Sequence, residues 1–203
     1  MMNGEIKKWD DWNKSGGPQY PHCKLIQYMF RSYPPEKRAG VRVLDLGCGS
    51  GVNTKFLAFE GFDVYGTDIS NIGIENTRNR LVNAGLDAVL SVEPIDAISF
   101  GDDFFDCVIS IGVLDAAGRD AGLKAFKEVR RVLKPGAKGF FVFASDEDFR
   151  PLNKVLDIYG YSRSELDVEL QDASFSKFWI DRYITTYEND FYRQNDFVVT
   201  VFK

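Results

Sequence analysis

The residues best suited to chemistry in this chain are a run of alternating glycines and the acids around it. Gly47, Gly49 and Gly51 stand in Gly47-Cys48-Gly49-Ser50-Gly51, directly after the apolar residues Val41, Val43, Leu44 and Leu46, with Asp45 set between the last two. A second apolar run, Phe62 to Thr67, ends on Asp68. A β-branched run closed by glycines reads as a buried parallel strand that turns sharply, because glycine takes positive φ freely and lets a ligand lie against bare backbone. In an open α/β sheet ligands bind outside the carboxyl ends of the strands, so this turn and Asp68 can face one ligand.

The elements that must hold these residues follow from periodicity. Val52 to Glu60 reads as a helix with Phe56 and Leu57 inward and Gly61 as its cap, and a helix capped by Ser70 runs to Val82. Leu86 to Val92 is expected to be a third strand, Pro94 to Phe100 a loop containing Asp96 and Ala97, and Phe104 to Ile111 a strongly buried strand. Asp120 to Leu133 repeats apolar residues at helical spacing and stops at Lys134-Pro135-Gly136, which leads into the strand Ala137 to Ala144. Lys124, Lys127, Arg130, Arg131 and Lys134 form a charge run that reads as the solvated face of this helix. Asp148 to Tyr159 is expected to be helical, and Gly160 to Lys177 a loop or partial helices. Tyr183 to Asn189 and Asp196 to Lys203 are expected to pair antiparallel as a hairpin. Ahead of the glycine strand, Glu5 to Lys14 carries Trp9 and Trp12, Ser15-Gly16-Gly17-Pro18 is a break, and Pro21 to Ser32 is a helix with Leu25, Ile26, Met29 and Phe30 on one stripe. This arm either folds over the ligand or covers one face of the sheet.

Composition narrows the function classes. The chain has 203 residues, and 25 Lys plus Arg against 30 Asp plus Glu give a net charge of −5, which disfavours nucleic acid as a partner. Its 3 cysteines, Cys23, Cys48 and Cys107, are scattered, without Cys-x-x-Cys or Cys/His ligand spacing. No metal is therefore expected, and the reducing cytoplasm fits. No run is apolar enough for a signal peptide or a membrane span. The reading is one domain over residues 1–203: an N-terminal helical arm at 1–40, a binding core at 41–144, and a substrate-side segment with the terminal hairpin at 145–203.

Val43-Leu44-Asp45-Leu46-Gly47-Cys48-Gly49-Ser50-Gly51 resembles the glycine motif of class I S-adenosylmethionine-dependent methyltransferases. Gly66-Thr67-Asp68-Ile69-Ser70 is similar to their second-strand acidic motif, Phe105-Asp106-Cys107-Val108-Ile109-Ser110 to their fourth strand, and Val129-Arg130-Arg131-Val132-Leu133-Lys134-Pro135-Gly136 to the passage before their fifth. The resemblance implies a doubly wound, seven-stranded, mostly parallel Rossmann-like sheet ending in an antiparallel hairpin. It also implies S-adenosylmethionine as cofactor and S-adenosylhomocysteine as product. Carried over by position, Gly47, Cys48 and Gly49 approach the methionine part, and Asp45 orients the turn or meets the amino group. Asp68 accepts from both ribose hydroxyls, Ile69 packs on the adenine, Asp96 and Ala97 lie where the adenine amine is read, and Ile111 ends the fourth strand beside the methyl group. Pro94 stands where an acid is common in such proteins, which makes Asp96 a shifted candidate.

Methyl transfer from a sulfonium needs alignment and exclusion of water, and a base only when the acceptor must lose a proton. Two base candidates stand out. His22 is the sole histidine and lies on the arm. Asp115 follows Gly112-Val113-Leu114, where relatives often carry an acid followed by histidine, but Ala116 replaces that histidine here. No Asn/Asp-Pro-Pro-aromatic motif follows Ser110-Ile111, so base or amide nitrogens are disfavoured and oxygen of a small molecule or glycan precursor is expected as acceptor. Trp9, Trp12 and Tyr20, with Tyr159, Tyr161, Phe175, Phe178 and Trp179, are aromatics that could line an acceptor pocket; Trp12 and Tyr20 are the two carried forward as substrate residues. The chain is expected to work as a monomer or homodimer, away from membranes. Two alternatives stay open: a non-catalytic cofactor-binding module, and a nicotinamide-dependent oxidoreductase, although Val52 stands where that fingerprint expects glycine.

Overall fold

A computed structural model describes residues 2–15, 17–152, 157–189 and 191–203. Two helices, α1 (Met2–Lys14) and α2 (Cys23–Ser32), precede the sheet. Then follow β1 (Arg42–Leu46), α3 (Val52–Phe59), β2 (Asp63–Asp68), α4 (Asn71–Val82), β3 (Val89–Val92), β4 (Phe105–Ile111), α5 (Arg119–Val132), β5 (Leu133–Ala144), α6 (Arg163–Asp172), β6 (Lys177–Tyr187) and β7 (Tyr192–Phe202). The seven strands form one sheet in the order β3-β2-β1-β4-β5-β7-β6. All pairs from β3 to β5 are parallel, and β7 is antiparallel to both β5 and β6. The order turns back between β1 and β4, and that switch point puts the ends of both strands at one crevice.

The central strands are buried on both faces. Val43, Cys107, Ile109, Phe140 and Val142 point one way, against Leu25 and Met29 of α2 and Leu57 of α3. Leu44, Leu46, Val108, Phe141 and Phe143 point the other way, against Phe126 and Val129 of α5 and Leu166 and Leu170 of α6. This is the alternation a pleated strand imposes when helices cover both sides. Leu25 and Met29 lie one helical turn apart and are fully buried, worth roughly 2–3 kcal/mol each from area alone. So α2 covers a sheet face, one of the two roles expected of the arm. The other falls to α1.

Five expectations are revised. Helix α5 does stop at Val132, but Lys134-Pro135-Gly136 lies inside β5, not ahead of it. Leu133 pairs with Phe105 and Lys138 with Cys107, so the residues between form a bulge, with Gly136 at φ 78°. The helix expected over 148–159 is absent from its described residues: only a 3₁₀ turn at Arg150–Leu152 occurs, and 153–156 lie outside the described residues. The indistinct stretch 160–177 contains α6, whose start is a capping box in which Ser162 accepts from Glu165 N–H and Glu165 accepts from Ser162 N–H. Strand β6 begins at Lys177, well before Tyr183, because the strand is half-exposed and its apolar residues are spread along it. The charge run on α5 is also more than a solvated face. Arg131 donates to the carbonyls of Phe100 (2.8 Å) and Ile98 (2.7 Å), pinning the loop after β3.

No helix among the described residues is long and apolar enough to cross a membrane. Nor does any group of three or more His, Cys, Asp or Glu side chains among them form a metal site.

Candidate active site

The glycine turn is built by hydrogen bonds that its own sequence supplies. Gly47 and Cys48 N–H both donate to the Thr67 carbonyl at 2.8 Å, tying the end of β1 to the end of β2. Gly47 has φ 77°, and a Cβ there would lie 2.5 Å from a Val113 methyl. Gly51 has φ 79°, and a Cβ there would lie 2.6 Å from the Thr77 side chain on α4. Both positions exclude larger residues on backbone and on space.

Asp68 closes the turn. Its Oδ2 accepts from Gly49 N–H and its Oδ1 from Ser70 N–H, each at 2.8 Å. Burial raises its pKa, and the two amides work against that rise. Each oxygen keeps a further lone pair, so the carboxylate is held still and remains able to accept from two hydroxyls. Asp45 sits behind the turn. It accepts from Thr54 Oγ1 at 2.6 Å, and burial pushes its pKa up to about 7. It does not line the cavity described next, so of its two expected roles the structure supports orienting the turn over meeting a ligand.

A cavity of about 550 Å³ opens beside the turn. Gly47, Cys48, Gly49, Asp68 and Ile69 line it, together with Pro94, Ile95 and Asp96 from the loop after β3 and Ile111 and Asp115 from the end of β4 and the segment that follows. Cys48 is buried against Thr77, with its thiol pKa well above the ordinary value because of burial, which leaves it a small filler without nucleophilic character. Ala97 does not reach the cavity; the loop turns away after Asp96.

Helix α1 forms the roof. Asp10 accepts from Ser70 Oγ at 2.6 Å, and the Asn13 carbonyl accepts from Asn76 Nδ2 at 2.8 Å, so the helix is bolted to the start of α4. Trp9, Trp12 and Asn13 thereby line the cavity. Two expected arm residues are corrected. Tyr20 is 85% exposed and outside the lining. His22 is also outside it: its Nδ1 accepts from Lys24 N–H at 3.2 Å, capping α2, and its ring meets Tyr183 edge-on. Burial lowers its pKa. A helix cap has claimed this histidine.

At the far end the cavity is bounded by residues from several segments. Asp115 is buried and lines it, with Oδ2 accepting from Ala144 N–H at 2.9 Å and Oδ1 from its neighbour Ala116 N–H at 3.1 Å. Burial, only partly offset by these amides, pushes its pKa up to about 6. Arg150 faces the same space and was not expected. Its Nε and Nη2 donate to the two oxygens of buried Asp148 at 2.8 and 2.9 Å, and Nη2 also donates to Asp196 on β7. The late aromatics, which could have lined a pocket but were not carried forward, are packing residues: Tyr161 and Phe175 are core, and Tyr159, Phe178 and Trp179 lie outside the lining. Asn13, Asn53 and Ile158 line it without having been singled out.

The strand order, the glycine turn and the acid at the end of β2 are those of the class I S-adenosylmethionine-dependent methyltransferase fold. Residues 43–136 match the family described as a methyltransferase domain. A ubiquinone/menaquinone biosynthesis C-methyltransferase, UbiE, of Cupriavidus metallidurans is 33% identical over 128 residues, which is 61% of this chain and 51% of the relative. The chain thus spans about half the length of the curated relatives it matches. Among solved structures, a SAM-dependent methyltransferase from Methanosarcina mazei superposes with TM-score 0.70 at 24% identity, covering 91% of this chain and 98% of that one. The Haemonchus contortus phosphoethanolamine N-methyltransferase 2 in complex with S-adenosylmethionine superposes with TM-score 0.74 at 16% identity, over 99% of this chain and 57% of that one. These two similarities show the fold.

S-adenosylmethionine fits the residues present. Asp68 has acceptor capacity left for ribose hydroxyls, the turn offers backbone without Cβ atoms, and the apolar Ile69 and Ile95 line the cavity together with Asp96.

Proposed function

We propose that the chain transfers the methyl group of S-adenosylmethionine to a hydroxyl-bearing small molecule, a glycan precursor included, bound between β4, Asp115 and Arg150. The observation that carries this reading is the Asp115 carboxylate, buried in the cavity wall with a pKa pushed up to about 6. When bound, the cofactor supplies a methyl group on a sulfonium, which leaves as the carbon–sulfur bond breaks and the sulfur keeps the electron pair. Asp115 takes the proton of the acceptor hydroxyl, and the oxygen forms the new bond to carbon. A base near pKa 6 is largely ionised at neutral pH while still able to hold a proton, which suits this task. Arg150, clamped by Asp148 and Asp196, lines the cavity, and its charge stabilises the developing oxyanion. Trp9 and Trp12 on the roof help exclude water.

Methylation at carbon is the second reading, favoured by the name of the curated relatives. The same base serves it, since a phenolate or enolate shares its charge with ring carbon. Incubation with S-adenosylmethionine labelled in the methyl group and a panel of phenols, enols and sugar hydroxyls, followed by NMR of the product, separates the two. A methoxy signal supports oxygen, a carbon-bound methyl supports carbon, and no labelled product from any hydroxyl compound defeats the proposal.

A further inference from the structure

We infer that Asp10 of the arm helix α1 is a positioning residue for Asp68: through Ser70 it steadies the carboxylate that meets the ribose of the cofactor, so that docking of the arm and binding of the cofactor strengthen each other. This rests on the reading of the cavity as the S-adenosylmethionine site. The link is one buried serine. Ser70 N–H donates to Asp68 Oδ1 at 2.8 Å, and Ser70 Oγ donates to Asp10 Oδ1 at 2.6 Å while accepting from Gly73 N–H at 3.0 Å. Ile72 N–H also donates to Asp10 Oδ1, at 3.4 Å. Two carboxylates from distant segments thus share the start of α4, where the free amides and dipole of the helix offset their repulsion.

The character of α1 explains why one such bond matters. Among the described side chains of α1 only Asn13 is buried, whereas α2 is anchored by the fully buried Leu25 and Met29. Helix α1 packs chiefly on α4, and its polar ties there run through the Asp10 carboxylate and the Asn13 carbonyl. The arm also rests on the glycine turn: a Cβ at Gly73 would lie 2.9 Å from Asn13 Nδ2, and one at Gly49 would lie 3.6 Å from Asn13 Oδ1. Trp9 and Trp12 line the cavity and belong to neither core cluster. A ligand that fills the cavity supplies apolar surface for these rings and so favours the docked arm. The docked arm in turn gives the Ser70 hydroxyl a fixed acceptor, which leaves the serine amide on Asp68 and its lone pair on Gly73. Coupling of this kind has the same size in both directions.

The test uses the full chain and its Asp10→Ala and Asp10→Asn variants, with thermal melts to verify folding. Each is titrated calorimetrically with S-adenosylhomocysteine, and each is digested with trypsin, following cleavage after Lys14 with and without saturating S-adenosylhomocysteine. Asp10→Ala is expected to bind at least about tenfold more weakly, the scale of one hydrogen bond to a charged group. S-adenosylhomocysteine is expected to slow cleavage at Lys14 about fivefold or more in the parent chain and not in Asp10→Ala. Asp10→Asn, which keeps an oxygen to accept from Ser70, behaves as the parent in both measurements. A merely structural Asp10 would lower the melting temperature and leave the protection by ligand in place. Unchanged affinity in Asp10→Ala, protection that persists there, or failure of Asp10→Asn to restore both overturns the inference while leaving the cofactor reading in place. Failure of the parent chain to bind S-adenosylhomocysteine overturns both.

Discussion

The two ends of the cavity are made in different ways. At the cofactor end, the bonds that close the turn tie the ends of two successive strands: Gly47 and Cys48 to Thr67, Gly49 to Asp68, Ser70 to Asp68, all through backbone amides. At the acceptor end the anchored groups are side chains from separate segments. Asp115 is held by Ala144, and Arg150 by Asp148 and by Asp196 of the last strand. The first construction uses donors that every residue has, and demands only glycine at fixed places and one carboxylate. The second uses side chains that must be brought together by the closed sheet. One end can hold a common cofactor while the other is free to change with the acceptor.

Breaking each end in turn sharpens that contrast. The largest effect is expected from Asp68→Ala, which removes the acceptor for ribose and leaves the Gly49 and Ser70 amides without their partner. S-adenosylhomocysteine affinity is expected to fall at least about 100-fold in calorimetric titration, since charged hydrogen bonds contribute about 1.5–3 kcal/mol each. Retained micromolar binding would show that the turn alone suffices. Next is Asp115→Asn at the other end. It is expected to lower turnover on a hydroxyl acceptor about 100-fold, the usual scale of a general base, with S-adenosylhomocysteine affinity within about twofold of the parent. In the parent chain, turnover should rise with pH through about 6 and then level off, because the carboxyl must lose its proton to act as base. A parallel loss of cofactor binding in this variant would mean that the two ends are not separable.

Smaller effects are expected in stability. The folded pKa of Asp45, about 7, lies above the ordinary value of 3.8, so the folded chain holds this proton more tightly than the unfolded one. Its contribution is fully present below pH 4 and is lost as pH rises through 7. Asp45→Asn cannot ionise and should flatten the fall in stability between pH 5 and 8 by about 1–3 kcal/mol, read from denaturant midpoints. An unchanged slope would place the titration elsewhere. His22→Ala should cost about 1 kcal/mol through the lost cap of α2 and leave turnover unaltered. A large fall in turnover would return His22 to the site.

The glycines, Asp68 and the core strands were legible because each is a local pattern with a local cause: apolar alternation, a turn that only glycine can make, and an acid at a strand end. The start of α6 was not read, although the Ser162–Glu165 capping box marks it, because the weakly amphipathic body of the helix leaves the stretch indistinct. Asn53 and Arg150 carried no such signal. An asparagine in the first turn of a helix is ordinary, and the partners of Arg150 lie on segments that no spacing rule connects.

By itself, then, the sequence determined the sheet, the turn and the carboxylate that closes it, since these follow from backbone geometry and from residues on successive strands, and its resemblance to class I methyltransferases pointed to the cofactor. Only the tertiary structure decided that α1 roofs the cavity while α2 packs on the sheet, that His22 caps a helix, and that Asp115 and Arg150 line one cavity. Those outcomes depend on which buried surfaces and unpaired polar groups come into contact once all seven strands are in place, and a linear pattern does not encode that choice.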